Sequence, residues 1–155
     1  MGRNPAFETW RSGDFTLPET FKSLDAPSRL ATMRKPNFFL VGAPKCGTTA
    51  MAQYLAMRPD IFMARKEMHT FGKDLHFGHQ FYRRDLQAYL AEFEGWGDQP
   101  RAGEASVWYL FSKTAAEEIK AFNPDAQIII MLRDPVEMLH SMYYTFLWDG
   151  NEHLP

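Results

Sequence analysis

Two short stretches of nearly unbroken apolar residues dominate the chain, Asn37 to Gly42 and Ala126 to Leu132. Runs of that length without polar alternation predict strands buried on both faces, as in a parallel sheet covered by helices. Between them the period changes. Met51, Tyr54 and Leu55 fall at i, i+3 and i+4, which predicts a helix stopped at Arg58-Pro59-Asp60. Residues 61–78 read as extended segments and loop. A helix is expected from about Gln80 to Phe93, ended by Gly95 and Gly97, then a short strand and turn from Arg101 to Tyr109. Another helix is expected from Thr114 to Phe122, closed by Asn123-Pro124. The last helix opens at Asp134-Pro135-Val136-Glu137, with Asp134 as N-cap, Pro135 at the first helical position and Glu137 completing a capping box. Its apolar stripe is Val136, Leu139, Tyr143, Phe146 and Leu147.

Strands alternating with helices predict an α/β fold, a three-layer α/β/α arrangement around a central parallel sheet. Residues 1–36, punctuated by Pro5, Gly13, Pro18, Pro27 and Pro36, read as an irregular lead-in to a domain over 37–155. The length of 155 residues suits one domain, and 45% hydrophobic residues suffice for a core. A net charge of −2 gives no basic field for nucleic acid. One cysteine, Cys46, excludes an internal disulfide framework. With no apolar run of membrane-spanning length and no apolar leader from Met1 to Ser12, a cytoplasmic protein is expected.

The chemistry begins after the first strand. Gly42-Ala43-Pro44-Lys45-Cys46-Gly47-Thr48-Thr49 lies between a predicted strand and a predicted helix, the context that makes a phosphate-binding loop credible. Amides at a helix start and the helix dipole both favour an anion there. Gly42 and Gly47 have Walker spacing, but Thr48 stands where nucleoside-triphosphate hydrolases carry lysine, and the lysine is at Lys45. That argues against a phosphate-loop kinase using ATP or GTP. A second anion site is expected at Arg133, at the carboxyl end of the second strand, with Ser141 about two turns into the following helix, off its apolar stripe.

The segment from Phe38 to Thr49 resembles the 5′-phosphosulfate loop of sulfotransferases that use 3′-phosphoadenosine-5′-phosphosulfate (PAPS). The resemblance implies that Lys45, Cys46, Gly47, Thr48 and Thr49 hold the 5′-phosphate and sulfuryl group, with Lys45 stabilising the leaving oxygen. Leu132-Arg133-Asp134-Pro135 followed by Ser141 is similar to the family's 3′-phosphate motif, which assigns Arg133 and Ser141 to that phosphate. Ala50, where cytosolic small-molecule members often have tryptophan, looks more like the carbohydrate-type and bacterial branches.

Lys66-Glu67-Met68-His69-Thr70-Phe71 resembles a stretch of glycan sulfotransferases whose glutamate is the base, with Thr70 departing from their phenylalanine. Transfer to a hydroxyl needs a base at the acceptor and cations at the leaving group. Glu67 is the first candidate base and Lys66 stands beside it. His69 is the rival, having the better unperturbed pKa. Gly103-Glu104-Ala105-Ser106 and Tyr109 match a further family pattern, so Glu104 and Ser106 are expected to contact acceptor or sulfate. His69, His76 and His79 match no zinc spacing, and no metal is expected.

The resemblance covers about residues 37–150 and implies the amino-terminal part of a longer, here truncated, domain. The expected activity is transfer from PAPS to a hydroxyl or amine of a small-molecule or carbohydrate acceptor, with 3′-phosphoadenosine-5′-phosphate (PAP) as product. The alternatives are a non-catalytic PAP- or PAPS-binding module and, behind it, a nucleotide kinase. The sequence does not fix the acceptor or the oligomeric state.

Overall fold

The computed structural model describes residues 33–76 and 85–149. The lead-in up to residue 32, His79 and the last six residues lie outside the described residues. Strand β1 (Phe38–Gly42) is followed by helix α1 (Thr48–Ala56), strand β2 (Ile61–Met63), helix α2 (Leu86–Ala91), strand β3 (Arg101–Ala105), helix α3 (Ala115–Phe122), strand β4 (Gln127–Ile130) and helix α4 (Pro135–Trp148). The four strands form one sheet in the order β2-β3-β1-β4, all parallel.

Every residue of β1 is buried, because the strand is central and both its faces are covered. Its side chains alternate. Phe38 and Leu40 pack with Met63 and Ala105 against Met51, Ala52, Leu55 and Ala56 of α1. Phe39 and Val41 point the other way, into a cluster with Phe71, Tyr89, Phe93, Ala115, Ile119 and Phe122, from α2, α3 and their flanks. This is the expected three-layer arrangement. The helix after β1 serves the expected turn, but Tyr54 is exposed and Ala52 and Ala56 take the inward positions. The core face is thus centred one residue away from the expected stripe. Helix α2 ends two residues before the expected Phe93, and the expected start from about Gln80 to residue 84 lies outside the described residues. Asp85 caps its start by accepting from Gln87 N (2.9 Å), and the chain leaves the helix after Ala91.

Two expectations for the last third are corrected. Strand β4, at the sheet's edge, is covered on one face only: Ile129 packs with Phe38, Leu40 and α1, whereas Ile128 is 48% and Ile130 52% exposed on the other. Helix α4 turns its expected stripe outward. Val136, Leu139, Tyr143 and Phe146 are exposed and of the stripe only Leu147 is half-buried, while Met138, Ser141, Met142 and Thr145, on the opposite face, are also half-buried. Asp134 does cap the helix, accepting from Val136 N (3.0 Å) and Glu137 N (3.2 Å). The capping box is only half made, because the Glu137 carboxylate turns to Arg133.

Candidate active site

The carboxyl ends of all four parallel strands lie along one edge of the sheet, where open α/β sheets bind ligands. At the central strand, β1 enters the loop through Gly42 at φ +136, where a Cβ would lie 2.4 Å from the Val107 carbonyl oxygen. Only glycine fits there. Gly47, at φ +82, forms the N-cap of α1 without any side-chain cap. The first amides of α1 therefore remain available for an anion. Lys45 itself adopts φ 62 and is half-buried.

The far side of the loop is tied to β4. Met131 N donates to Gly42 O and Ala43 N to Met131 O, each at 2.8 Å. That pairing brings Arg133 beside the loop. Lys45, Arg133 and Ser141 line one cleft of about 680 Å³, with His140, Tyr144 and Trp148 along the α4 wall. The His140 and Tyr144 rings meet at 4.8 Å. These three side chains share an i, i+4, i+8 face, a spacing legible in the sequence but not drawn from it. Arg133 is engaged: its Nε donates to Glu137 Oε2 at 2.8 Å in an exposed pair. Cys46, Gly47, Thr48 and Thr49 do not line this cleft. Cys46 is buried and its Sγ donates to Pro44 O at 3.4 Å.

On the other side of β1, the chain after β2 continues along β3. Ala64 N donates to Gly103 O (2.9 Å) and Glu67 N to Ala105 O (2.7 Å). The Glu67 carboxylate is gripped by three donors, Lys66 Nζ, His69 Nε2 (3.0 Å) and Val107 N (3.2 Å). Val107 is the residue whose carbonyl crowds Gly42, so one residue links Glu67 to the glycine that opens the loop after β1. Burial alone would raise the Glu67 pKa, but the hydrogen bonds from His69 and Lys66 outweigh it and hold it below the ordinary carboxylate value. The Glu67 side chain is 31% exposed and that of His69 only 4%. Of the two candidate bases, Glu67 is the one that solvent and an acceptor can reach.

Glu104 and Ser106 do not meet the expectation that they touch an acceptor. Both are fully buried. The Glu104 carboxylate accepts from Ser106 Oγ (2.6 Å) and Tyr109 OH (2.8 Å). Its pKa is raised to about 7, by burial first, against the opposing pull of those two hydroxyls, of His69 and of Tyr89. Sequence reasoning also missed a clamp beyond Phe71. Asp74 accepts from Ser112 Oγ, Lys113 N (2.8 Å) and Thr114 Oγ1 (2.9 Å), and Glu118 accepts from Gly72 N (2.9 Å) and Lys73 N (3.2 Å). Nothing local signals pairs this far apart in the chain.

The chain is a parallel α/β layer with a strand–loop–helix turn, a cationic cleft beside it and a carboxylate at the same edge. Residues 35–152 match the Sulfotransferase domain family, and the chain belongs to it. It is 31% identical to carbohydrate sulfotransferase 15 of Mus musculus, over 72% of this chain and 27% of that protein. It is 29% identical to heparan sulfate glucosamine 3-O-sulfotransferase 6 of Homo sapiens, over 71% of this chain and 30% of that protein. A solved sulfotransferase from Alicyclobacillus acidocaldarius superimposes with a TM-score of 0.75 at 38% identity, covering 79% of this chain and 54% of that one. The chain thus spans less than a third of these two relatives and about half of the solved structure.

Proposed function

We propose that this chain forms the donor-binding and base-bearing part of a PAPS-dependent sulfotransferase whose acceptor is a hydroxyl or amine of a carbohydrate. The observation that carries this reading is the Glu67 carboxylate, oriented by three donors and joined through Val107 to the phosphate-loop glycine. The acceptor class is supported by the names of the relatives, which are carbohydrate and heparan sulfate sulfotransferases.

The residues present fit a nucleotide with phosphate at both ends. The start of α1 with Lys45 suits the 5′ end, and Arg133 with Ser141 suits the 3′-phosphate. The donor, when bound, supplies the sulfuryl group. Glu67, ionised at neutral pH because its pKa is lowered, takes the acceptor proton as the acceptor oxygen or nitrogen bonds to sulfur. Lys45 offsets the negative charge left on the bridging phosphate oxygen as its bond to sulfur breaks. His69 and Lys66 hold Glu67 in place and keep it charged until that moment.

Calorimetric titration with PAP, and separately with ATP and magnesium, tests the donor. PAP binding that Lys45→Ala and Arg133→Ala weaken supports the reading. Binding of ATP with magnesium but not PAP overturns it in favour of a kinase.

A further inference from the structure

Glu67 and His69 sit in backbone conformations that residues with side chains rarely adopt, at φ 61 and φ 47. Such conformations persist only where the surroundings over-determine them. Three consecutive amides of this loop are held from outside it. His69 N donates to Ser106 Oγ (3.1 Å), and Thr70 N (2.9 Å) and Phe71 N (3.4 Å) donate to Tyr109 OH. A hydroxyl has a single proton. It can accept from an amide in this way only while that proton points elsewhere, and here both protons point to one group, the buried Glu104 carboxylate.

We propose that Glu104 is the positioning residue of the Glu67 loop: by accepting the Ser106 and Tyr109 hydroxyl protons together, it turns both hydroxyls into acceptors for the amides of residues 69 to 71. The proposal rests on Glu67 being the base for its relevance to transfer, but the hydrogen-bond geometry stands without it.

Two consequences follow from the polarity. A glutamine in this place has one acceptor and one donor, so only one hydroxyl can keep its proton on it, and the other must turn its proton elsewhere, which reshapes the bonds it accepts from the amides. Protonating Glu104 has the same effect as that substitution. The groups facing Glu104 are Ser106 and Tyr109 from the turn after β3, Tyr89 from α2 and His69 from the loop, with Lys66 and Glu67 behind His69. Burial brings the carboxyl's own pKa to about 7, inside the range where the loop can be watched.

The test follows the amide resonances of His69, Thr70 and Phe71 in the ¹⁵N-labelled full chain from pH 5 to 9. The three are expected to titrate together with a midpoint near 7. Glu104→Gln should abolish that titration and leave the resonances of Thr48 and Thr49 in place. The same titration persisting in Glu104→Gln would mean that another group drives it, and the proposal fails. Should Glu104→Gln not fold, Tyr109→Phe is expected to move the Thr70 and Phe71 amides upfield, and Ser106→Ala the His69 amide. Unmoved amides in both variants also overturn the proposal. PAP titration of the wild-type chain separates the two readings: absent PAP binding with the loop titration intact removes the donor assignment and leaves the role of Glu104 standing.

Discussion

The two sides of β1 are built in opposite ways. Toward β3, the loop carrying Glu67 rests on a fully buried polar network and on Phe71, whose ring meets Phe39, Tyr89, Tyr109 and Phe122 at 5.3–5.8 Å. Toward β4, the cleft holding Arg133 and Ser141 is walled by a helix with no fully buried residue, and Arg133 pairs with an exposed glutamate. The first side spends its conformational freedom on folding and presents a fixed carboxylate. The second keeps side-chain freedom, so ordering it falls to whatever anion binds. Chemistry needs the fixed geometry, whereas a phosphate is recognised by charge and by forks of donors that tolerate adjustment.

Substitutions on the two sides should therefore differ in kind. The largest effect is expected at Glu67. Glu67→Gln should slow transfer by about 10²–10⁴-fold while PAP affinity stays at the wild-type value. Assay of both quantities on one preparation checks it, and a matching loss of PAP affinity would dissolve the contrast. Next comes packing. Phe39→Ala should cost about 3–5 kcal/mol of stability, but Ile128→Ala, 48% exposed on the edge strand, well under that, at about 1 kcal/mol or less by denaturant unfolding.

The buried network also gives stability a pH slope. The folded pKa of Glu104, about 7, lies above its ordinary value of 4.5, so this group favours the fold at low pH. Its contribution is fully present below about 4.5 and is lost as pH rises through about 7, a change of roughly 3 kcal/mol. Glu104→Gln should flatten that part of the stability–pH curve, measured by denaturant midpoints at pH 5, 6, 7 and 8. On the open side, Arg133→Ala should weaken PAP by about 1.5–3 kcal/mol, the value of a hydrogen bond to a charged group, with no change in melting temperature. The smallest effect is expected for Glu137→Gln. Freeing Arg133 from an exposed pair worth about 0.2–1 kcal/mol should tighten PAP binding by up to a few-fold, and less at high salt.

Elements whose cause is local could be read from the chain alone. The unbroken apolar run of β1, the glycines at 42 and 47, the Asp134-Pro135 helix start and the proline after Arg58 each act within a few residues, and each took the structure expected of it. Lys45, Arg133 and Ser141, singled out by their motifs, do line one cleft, because a parallel α/β layer puts strand ends and helix starts on one edge. Only the tertiary structure decided burial and partnership. The run Ile128-Ile129-Ile130 reads like β1, yet β4 is an exposed edge, since burial depends on which layers lie above a strand and not on its composition. The α4 stripe reads as inward and faces out, because a helical period fixes a face but not the direction it turns. Glu104 and Ser106 were expected to contact acceptor or sulfate and lie buried beneath the loop. The amides that the Ser106 and Tyr109 hydroxyls hold, at residues 69 to 71, are more than thirty positions away, and only folding brings them to the two hydroxyls bound by Glu104.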